Sequence, residues 1–460
     1  MSIFSEDTIA AISSAVTPSG IGIVRLSGSD ALAIADKVYK GKSGKTLSEQ
    51  AANTIHYGYV TENGETVDEA LFMILKAPHS YTGEDTVEID CHGGVVSMRK
   101  VLETVIHAGA RPAEPGEYTK RAFLNGRIDL SQAEAVMDLI RAKNEYAMKN
   151  SLQQLKGSVG EKIRQVRKEL LYEIAYIESA LDDPEHISID GYGAHLLPVV
   201  ENTEKEIRHL LESADQGKII QEGIKTVILG KPNAGKSSLL NYLLKEDRAI
   251  VTDIAGTTRD ILEETVTIHE ITLHILDTAG IHDADNVVEQ IGIDRALDQA
   301  KDADLILYVA DSSVPFDEGD RQIWELTKDK RVIVLFNKSD LAAKADPSLL
   351  PGHLSDQVIS ISAKDHTGLE QLEERIRSLF FEGELSFNDE IYINNARQQA
   401  ALEEAEKNLQ FVKQSILDDM PEDFFSIDLM GAYESLGRIL GESLGEDLVN
   451  EIFSKFCTGK

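Results

Sequence analysis

Apolar residues follow two different rhythms along this chain, and the rhythm changes several times. Residues 1 to about 118 carry short β-like runs between turns, such as Gly20-Ile21-Gly22-Ile23-Val24-Arg25-Leu26 and Ala70-Leu71-Phe72-Met73-Ile74-Leu75. One helical stretch at Val95–His107 completes an α/β pattern. From 118 to 181 the spacing is helical, and Ser131-Gln132-Ala133-Glu134 has the form of a capping box. A second helical stretch at 199–211 leads through Asp215-Gln216-Gly217 into strand-like runs at 227–229, 273–276, 332–336 and 358–361. Residues 238–244 read as helix. Helical spacing then resumes at 395–417 and 433–456. Domain termini often lie close together, so an inserted module leaves its host intact. The pattern predicts a multidomain α/β plus all-α chain. It has an N-terminal α/β domain (1–118), a helical domain built from two chain segments (119–216 and 384–460), and an inserted α/β domain (217–383).

Composition narrows the setting. A chain of 460 residues predicts two to four domains with real cores. The formal charge of −33, from 46 basic and 79 acidic residues, excludes a general electrostatic grip on nucleic acid. Any RNA contact must be local or shared with a partner. Cys91 and Cys457 show no metal-ligand or disulfide-framework spacing, which fits a reducing compartment. No basic residue precedes Arg25, and no apolar run approaches membrane-spanning length. A soluble, cytoplasmic chain without membrane contact is expected.

The chemistry is concentrated in the inserted domain. Gly230-Lys231-Pro232-Asn233-Ala234-Gly235-Lys236-Ser237 matches the phosphate-loop pattern and stands between a predicted strand and a predicted helix. Its glycines let backbone N–H groups turn toward phosphates, and the helix N-terminus adds positive potential. Lys236 reaches terminal phosphates in this pattern, and the Ser237 hydroxyl ligates magnesium. Asp277-Thr278-Ala279-Gly280 follows one strand-like run. Thr257 and Thr258 precede it, where a mobile loop senses the last phosphate. Asn337-Lys338-Ser339-Asp340 ends another run, and a carboxylate such as Asp340 accepts from the ring N–H and amine of guanine. Ser362-Ala363-Lys364 backs the base. Five motifs in order, each at a strand end, resemble a Ras-like P-loop GTPase domain binding GTP.

One position departs from that pattern. Ras-type enzymes place a water-orienting glutamine directly after Asp-x-x-Gly, and here Ile281 stands there. Asn233 is a candidate for holding a monovalent cation that neutralises developing charge, or else simply stabilises its loop. Glu289 is a candidate for polarising water, or else a solvated helix carboxylate.

The flanks carry a further resemblance. Gly20-Ile21-Gly22-Ile23-Val24-Arg25-Leu26-Ser27-Gly28, Ser80-Tyr81-Thr82-Gly83-Glu84-Asp85, the run from Pro115-Gly116-Glu117-Tyr118 to Ala133-Glu134-Ala135-Val136, and the ending Phe456-Cys457-Thr458-Gly459-Lys460 join the central motif. Together they closely resemble the MnmE (TrmE) family of tRNA-modification GTPases over essentially the full length. The resemblance implies that the N-terminal domain binds 5,10-methylene- or 5-formyl-tetrahydrofolate and mediates a homodimer. It also implies a heterotetramer with the FAD-containing MnmG (GidA) protein, which adds an aminomethyl or carboxymethylaminomethyl group to carbon 5 of the wobble uridine of tRNA. Folate positions then fall on Arg25, Glu84, Arg127 and Lys460. Arg127 stands where many relatives carry lysine, which keeps the charge and changes hydrogen-bond geometry.

In the inserted domain the resemblance implies potassium contacts at Asn233, Thr252, Ile254 and Thr257, magnesium contacts at Ser237 and Thr258, and Glu289 as the catalytic carboxylate. It spreads GTP contacts over Asn233, Ala234, Gly235, Lys236, Ser237, Ser238, Thr252, Asp253, Ile254, Ala255, Gly256, Thr257, Thr258, Asp277, Thr278, Ala279, Gly280, Asn337, Lys338, Asp340, Ser362, Ala363 and Lys364. Cys457 takes a catalytic position, with nucleophile, acid and structural roles all open. Thr458 replaces the usual apolar neighbour. The competing readings are a ribosome-assembly GTPase of the Era type and an RNA-binding scaffold with a regulatory nucleotide site. An assembly GTPase carries an RNA-binding module, not the folate-like N-terminal signature and Cys-x-Gly-Lys ending.

Overall fold

A computed structural model describes residues 7–42, 44–246, 264–268, 271–276, 300–301, 303–380 and 393–459. The chain forms two compact units. One comprises Met1–Ile140, Gln153–Val200 and Lys407–Lys460; the other comprises Arg141–Leu152 and Glu201–Glu406. Among the described residues no helix is long and apolar enough to cross a membrane.

The first unit opens with a seven-stranded sheet. Its strands are β1 (Ile9–Ile12), β2 (Ile21–Ser27), β3 (Tyr39–Lys40), β4 (Thr54–Glu62), β5 (Glu65–Leu75), β6 (Thr86–His92) and β7 (Arg111–Pro112), in the order β3-β4-β5-β6-β2-β1-β7. All neighbours are antiparallel except β1 and β7. Period-two alternation sends Val24, Leu26, Phe72, Ile74, Val87 and Ile89 to one face. There they pack with Ile34, Val38, Met98, Val101 and Val105 of the helices Ala31–Val38 and Val95–His107. The opposite face keeps Ile21, Ile55, Tyr57 and Leu71 exposed.

Helices continue this unit. Ala122, Ile128, Leu130, Ala133, Val449 and Phe453 form a core that seats the helix Glu446–Ser454 against Glu117–Leu124 and Leu130–Arg141. The helix Ser158–Asp182 packs on Asp423–Leu440. Buried Arg167 joins the two, donating to both carboxylate oxygens of Glu442 at 2.7 Å and lying 4.0 Å over the Tyr433 ring.

Three sequence expectations change here. The capping box is not Ser131–Glu134 but two residues earlier: Asp129 Oδ1 accepts from the Gln132 N–H at 3.0 Å, and Gln132 Oε1 accepts from the Asp129 N–H at 3.0 Å. Asp is at least as good a cap as Ser, so the earlier of two overlapping patterns wins. The stretch 199–211 is only the middle of the helix Tyr192–Glu222, which runs through Pro198. The stretch 433–456 is two helices, because Gly441 at φ +91° ends the first in a left-handed cap. A Cβ at Gly441 would meet the Phe123 ring at 2.6 Å.

The second unit holds a six-stranded sheet of β8 (Ile224–Leu229), β9 (Glu264–Ile268), β10 (Ile271–Ile275), β11 (Leu305–Asp311), β12 (Val332–Asn337) and β13 (Val358–Ser360), in the order β13-β12-β11-β8-β10-β9. All pairs are parallel except β9 with β10. Leu307, Val309, Ile333 and Leu335 face a core with Leu239, Leu243, Leu372 and Ile376. Ile306, Tyr308, Val334 and Phe336 face a second core with Trp324 and Leu354. Both faces are covered, which is why these strands read as unbroken apolar runs.

Candidate functional site

The carboxyl ends of β8, β11, β12 and β13 converge, as ligand sites in open α/β sheets do. β8 runs into the phosphate loop, which ends at the helix Lys236–Glu246 carrying Ser237 and Ser238 in its first turn. Asn233 sits at φ +62°, a left-handed conformation that asparagine tolerates, and its side chain is exposed. Lys236 donates to the Gly230 carbonyl at 2.8 Å and the Lys231 carbonyl at 3.0 Å. Burial lowers its pKa.

Asn337 ties three loops together. Its amide donates to the Ala234 carbonyl at 2.9 Å, and its carbonyl accepts from the Ala363 N–H at 3.1 Å. Gly235, at φ +102°, lies so close that a Cβ would sit 2.1 Å from Asn337 Nδ2. Only glycine fits that approach. Lys338 donates to Asp311 at 2.6 Å, and Ser362 donates to the exposed Asp340 at 3.1 Å. Burial opposes the charge on Asp311, but hydrogen bonds from Lys338 and Ser313 outweigh it and lower its pKa. Ala363 is buried behind the loop and Lys364 is exposed. Asp311 was missed from the sequence, although it ends the apolar run of β11 as Asn337 ends that of β12.

Thr252, Asp253, Ile254, Ala255, Gly256, Thr257, Thr258, Asp277, Thr278, Ala279, Gly280, Ile281 and Glu289 lie outside the described residues, as does Lys460.

The first unit gathers a second set of groups. Arg25 stands directly across β2–β6 from Glu88 and donates to it at 2.7 Å. Arg25 also donates to the Gly459 carbonyl at 3.3 Å, so the chain's own C-terminal segment reaches this arginine. Gly116 N–H donates to the Cys457 carbonyl at 3.2 Å, and the Cys457 side chain is exposed. The guanidinium carbons of Arg25 and Arg127 lie 5.7 and 5.0 Å from the centre of the Tyr81 ring. Burial raises the Tyr81 pKa, partly offset by its Thr119 contact and the two arginines. Beside Tyr81 and Arg127 opens a cavity of about 310 Å³, also lined by Gln132, Ile128, Val136 and Leu139.

Glu84 is tied elsewhere. It accepts from Ser27 at 2.8 Å and from Arg121 at 3.2 Å. Arg121, 6% exposed, also donates to Asp7 and Glu117. Tyr81 and Arg121 both lie inside the quoted motifs, but nothing in their spacing marks them as hubs.

A phosphate loop opening a helix, beside an Asn-Lys-x-Asp loop and a Ser-Ala-Lys loop on a largely parallel sheet, defines the second unit as a Ras-like P-loop GTPase domain. A model of the MnmE helical domain matches residues 130–457, and one described as GTP-binding protein TrmE N-terminus matches residues 8–127. The tRNA modification GTPase MnmE of Lachnoclostridium phytofermentans is 54% identical over 455 residues, covering 99% of each chain. Those of Enterococcus faecalis and Bacillus subtilis are 46% and 45% identical, each over 99% of this chain and 98% and 100% of theirs. The chain belongs to the MnmE family of tRNA-modification GTPases.

Proposed function

We propose that this protein hydrolyses GTP with a potassium ion in place of the missing glutamine. With a flavin-containing partner, it uses a one-carbon tetrahydrofolate to modify carbon 5 of the wobble uridine of tRNA in the cytoplasm. The observation that carries the folate reading is the convergence of Arg25 and Arg127 on Tyr81, beside a cavity and a C-terminal segment held at Arg25. Two guanidiniums suit the carboxylates of a folate glutamate, and the Tyr81 ring beside both offers a stacking face. Glu84 keeps acceptor capacity beyond its bonds to Ser27 and Arg121 and accepts from the pterin amino and ring N–H groups. The folate supplies the carbon unit; the residues bind and orient it. Lys460, one residue past Gly459, completes the set in this reading, and Cys457 stands three residues before it.

At the nucleotide site, Ser237 and Thr258 hold magnesium in this reading. Asn233, Thr252, Ile254 and Thr257 hold potassium, and Glu289 orients water. Homodimerisation is supported by the uncovered sheet face, where Ile21 and Ile55 are 63% and 58% exposed and Tyr57 and Leu71 pair across β4–β5.

Calorimetric titration of the intact protein with 5-formyl-tetrahydrofolate tests the central reading. Binding that Tyr81→Ala and Arg127→Ala each weaken is expected; an unbound folate overturns it. For the nucleotide site, GTP turnover much faster in potassium than in sodium is expected, and Asn233→Ala should erase the difference. Equal rates in the two salts refute the potassium reading.

A further inference from the structure

The side chain of Lys231, the second residue of the phosphate loop, reaches Asp320 at 2.7 Å and Asp317 at 2.9 Å. Asp320 is 2% exposed, so this is no solvated surface pair. Its carboxylate also accepts from the Tyr308 hydroxyl at 2.7 Å and the Asp317 N–H at 2.8 Å. Burial opposes the charge on Lys231, but its hydrogen bonds to Asp320 and Asp317 outweigh it and raise its pKa. Tyr308 is fully buried in β11.

The same segment holds the other end of the site. Three residues past Tyr308, Asp311 accepts from Lys338 at 2.6 Å. Ser312 donates its hydroxyl to the Lys338 carbonyl at 3.1 Å and its N–H to the Asn337 carbonyl at 3.0 Å. Between these anchors Phe316 packs edge-on against Trp324 at 5.2 Å and tilted against Phe336 at 5.9 Å. Residues 308–320 therefore grip both the phosphate loop and the guanine-reading loop, through side chains that none of the five nucleotide motifs assigns.

We infer that Lys231 and Asp320 are a positioning pair that sets the phosphate loop at a fixed span from the Asn-Lys-x-Asp loop. The inference rests on the GTP-binding reading of this unit. A nucleotide bridges two loops, and each ångström of slack between them is taken from its binding energy. The pair acts equally on bound substrate and transition state, so its loss raises KM and spares kcat.

The test uses the full-length protein, with fluorescent GDP titrations and steady-state GTP hydrolysis. Lys231→Met and Asp320→Asn should each raise the GDP dissociation constant and the KM for GTP by about tenfold, the effect of one charge-assisted hydrogen bond, with kcat little changed. The double variant should fall well short of the product of the two single effects, because both single variants break the same Lys231–Asp320 bond. Lys231→Arg should restore most of the affinity. Should Lys231→Met fail to fold, the double variant, which leaves no buried charge without a partner, and Lys231→Arg carry the comparison. Wild-type affinity in the variants, multiplied effects in the double variant, or no rescue by arginine overturns the inference. A wild-type protein that binds no GDP overturns instead the reading of the site.

Discussion

Replacing Asn337 by alanine removes a strut among three loops. The side chain is 3% exposed, and its loss strips the Ala234 carbonyl and the Ala363 N–H of their partners at 2.9 and 3.1 Å. Ala234 and Ala363 are themselves 2% and 7% exposed, so water does not replace those bonds without loop movement. Each orphaned group costs roughly 1–3 kcal/mol, and about 1.5 kcal/mol apiece, toward the lower end because the loops can relax, puts the total for the two near about 3 kcal/mol. That cost divides. Whatever the empty protein loses in rigidity without unfolding must be restored when nucleotide binds. The fall in unfolding free energy and the fall in GDP binding free energy should therefore sum to about 3 kcal/mol; if binding carries all of it, affinity drops about 150-fold. Urea unfolding without nucleotide and equilibrium GDP titration measure the two parts. A variant whose affinity stays within about twofold and whose urea midpoint does not move refutes the reasoning, because the two bonds would then carry no net energy.

Arg121→Met should lower the thermal midpoint of the full chain. It strips Glu84 and Glu117 of a buried guanidinium, a change of roughly 3–5 kcal/mol for a buried pair broken on one side, although Asp7 and Glu117 keep Arg111. Burial pushes the Glu117 carboxyl up, but hydrogen bonds from Arg111, the Glu114 N–H and Arg121 outweigh it, so its folded pKa lies below the ordinary 4.5. Its stabilisation is thus complete above the unfolded value and is lost as pH falls through the lowered one; Glu117→Gln should flatten the acid limb of a midpoint-against-pH curve. Gly116→Ala should loosen the C-terminal segment and speed its digestion by carboxypeptidase. At φ +68° a Cβ would meet the Phe453 carbonyl at 2.4 Å, and the left-handed backbone alone costs roughly 1–2 kcal/mol. Leu71→Glu, on the uncovered sheet face and 42% exposed, should yield monomers in sedimentation while the fold persists.

The phosphate loop, the Asn-Lys-x-Asp loop and the Ser-Ala-Lys loop could be placed at strand ends from the sequence alone, because their signals are local. A phosphate loop is one backbone turn whose glycines sit at fixed offsets, and strands covered on both faces read as plain apolar runs. Helix existence was legible too, since a 3.6-residue rhythm survives without knowledge of what it packs on. Helix ends were less so: Asp129-x-x-Gln132 and Ser131-x-x-Glu134 are both valid caps, and it is Asp129 with Gln132 that forms the box. The hubs were illegible. Arg121 reaches Asp7 across 114 positions, Arg25 reaches Gly459 across 434, and Lys231 reaches Asp317 across 86. An ion pair has no period, so a charged residue carries no mark of its partner along the chain. Residue types and local turns were written in the sequence. Which arginine holds which carboxylate, which tyrosine two guanidiniums approach, and where the C-terminal segment docks were decided only when folding brought distant segments within a few ångströms.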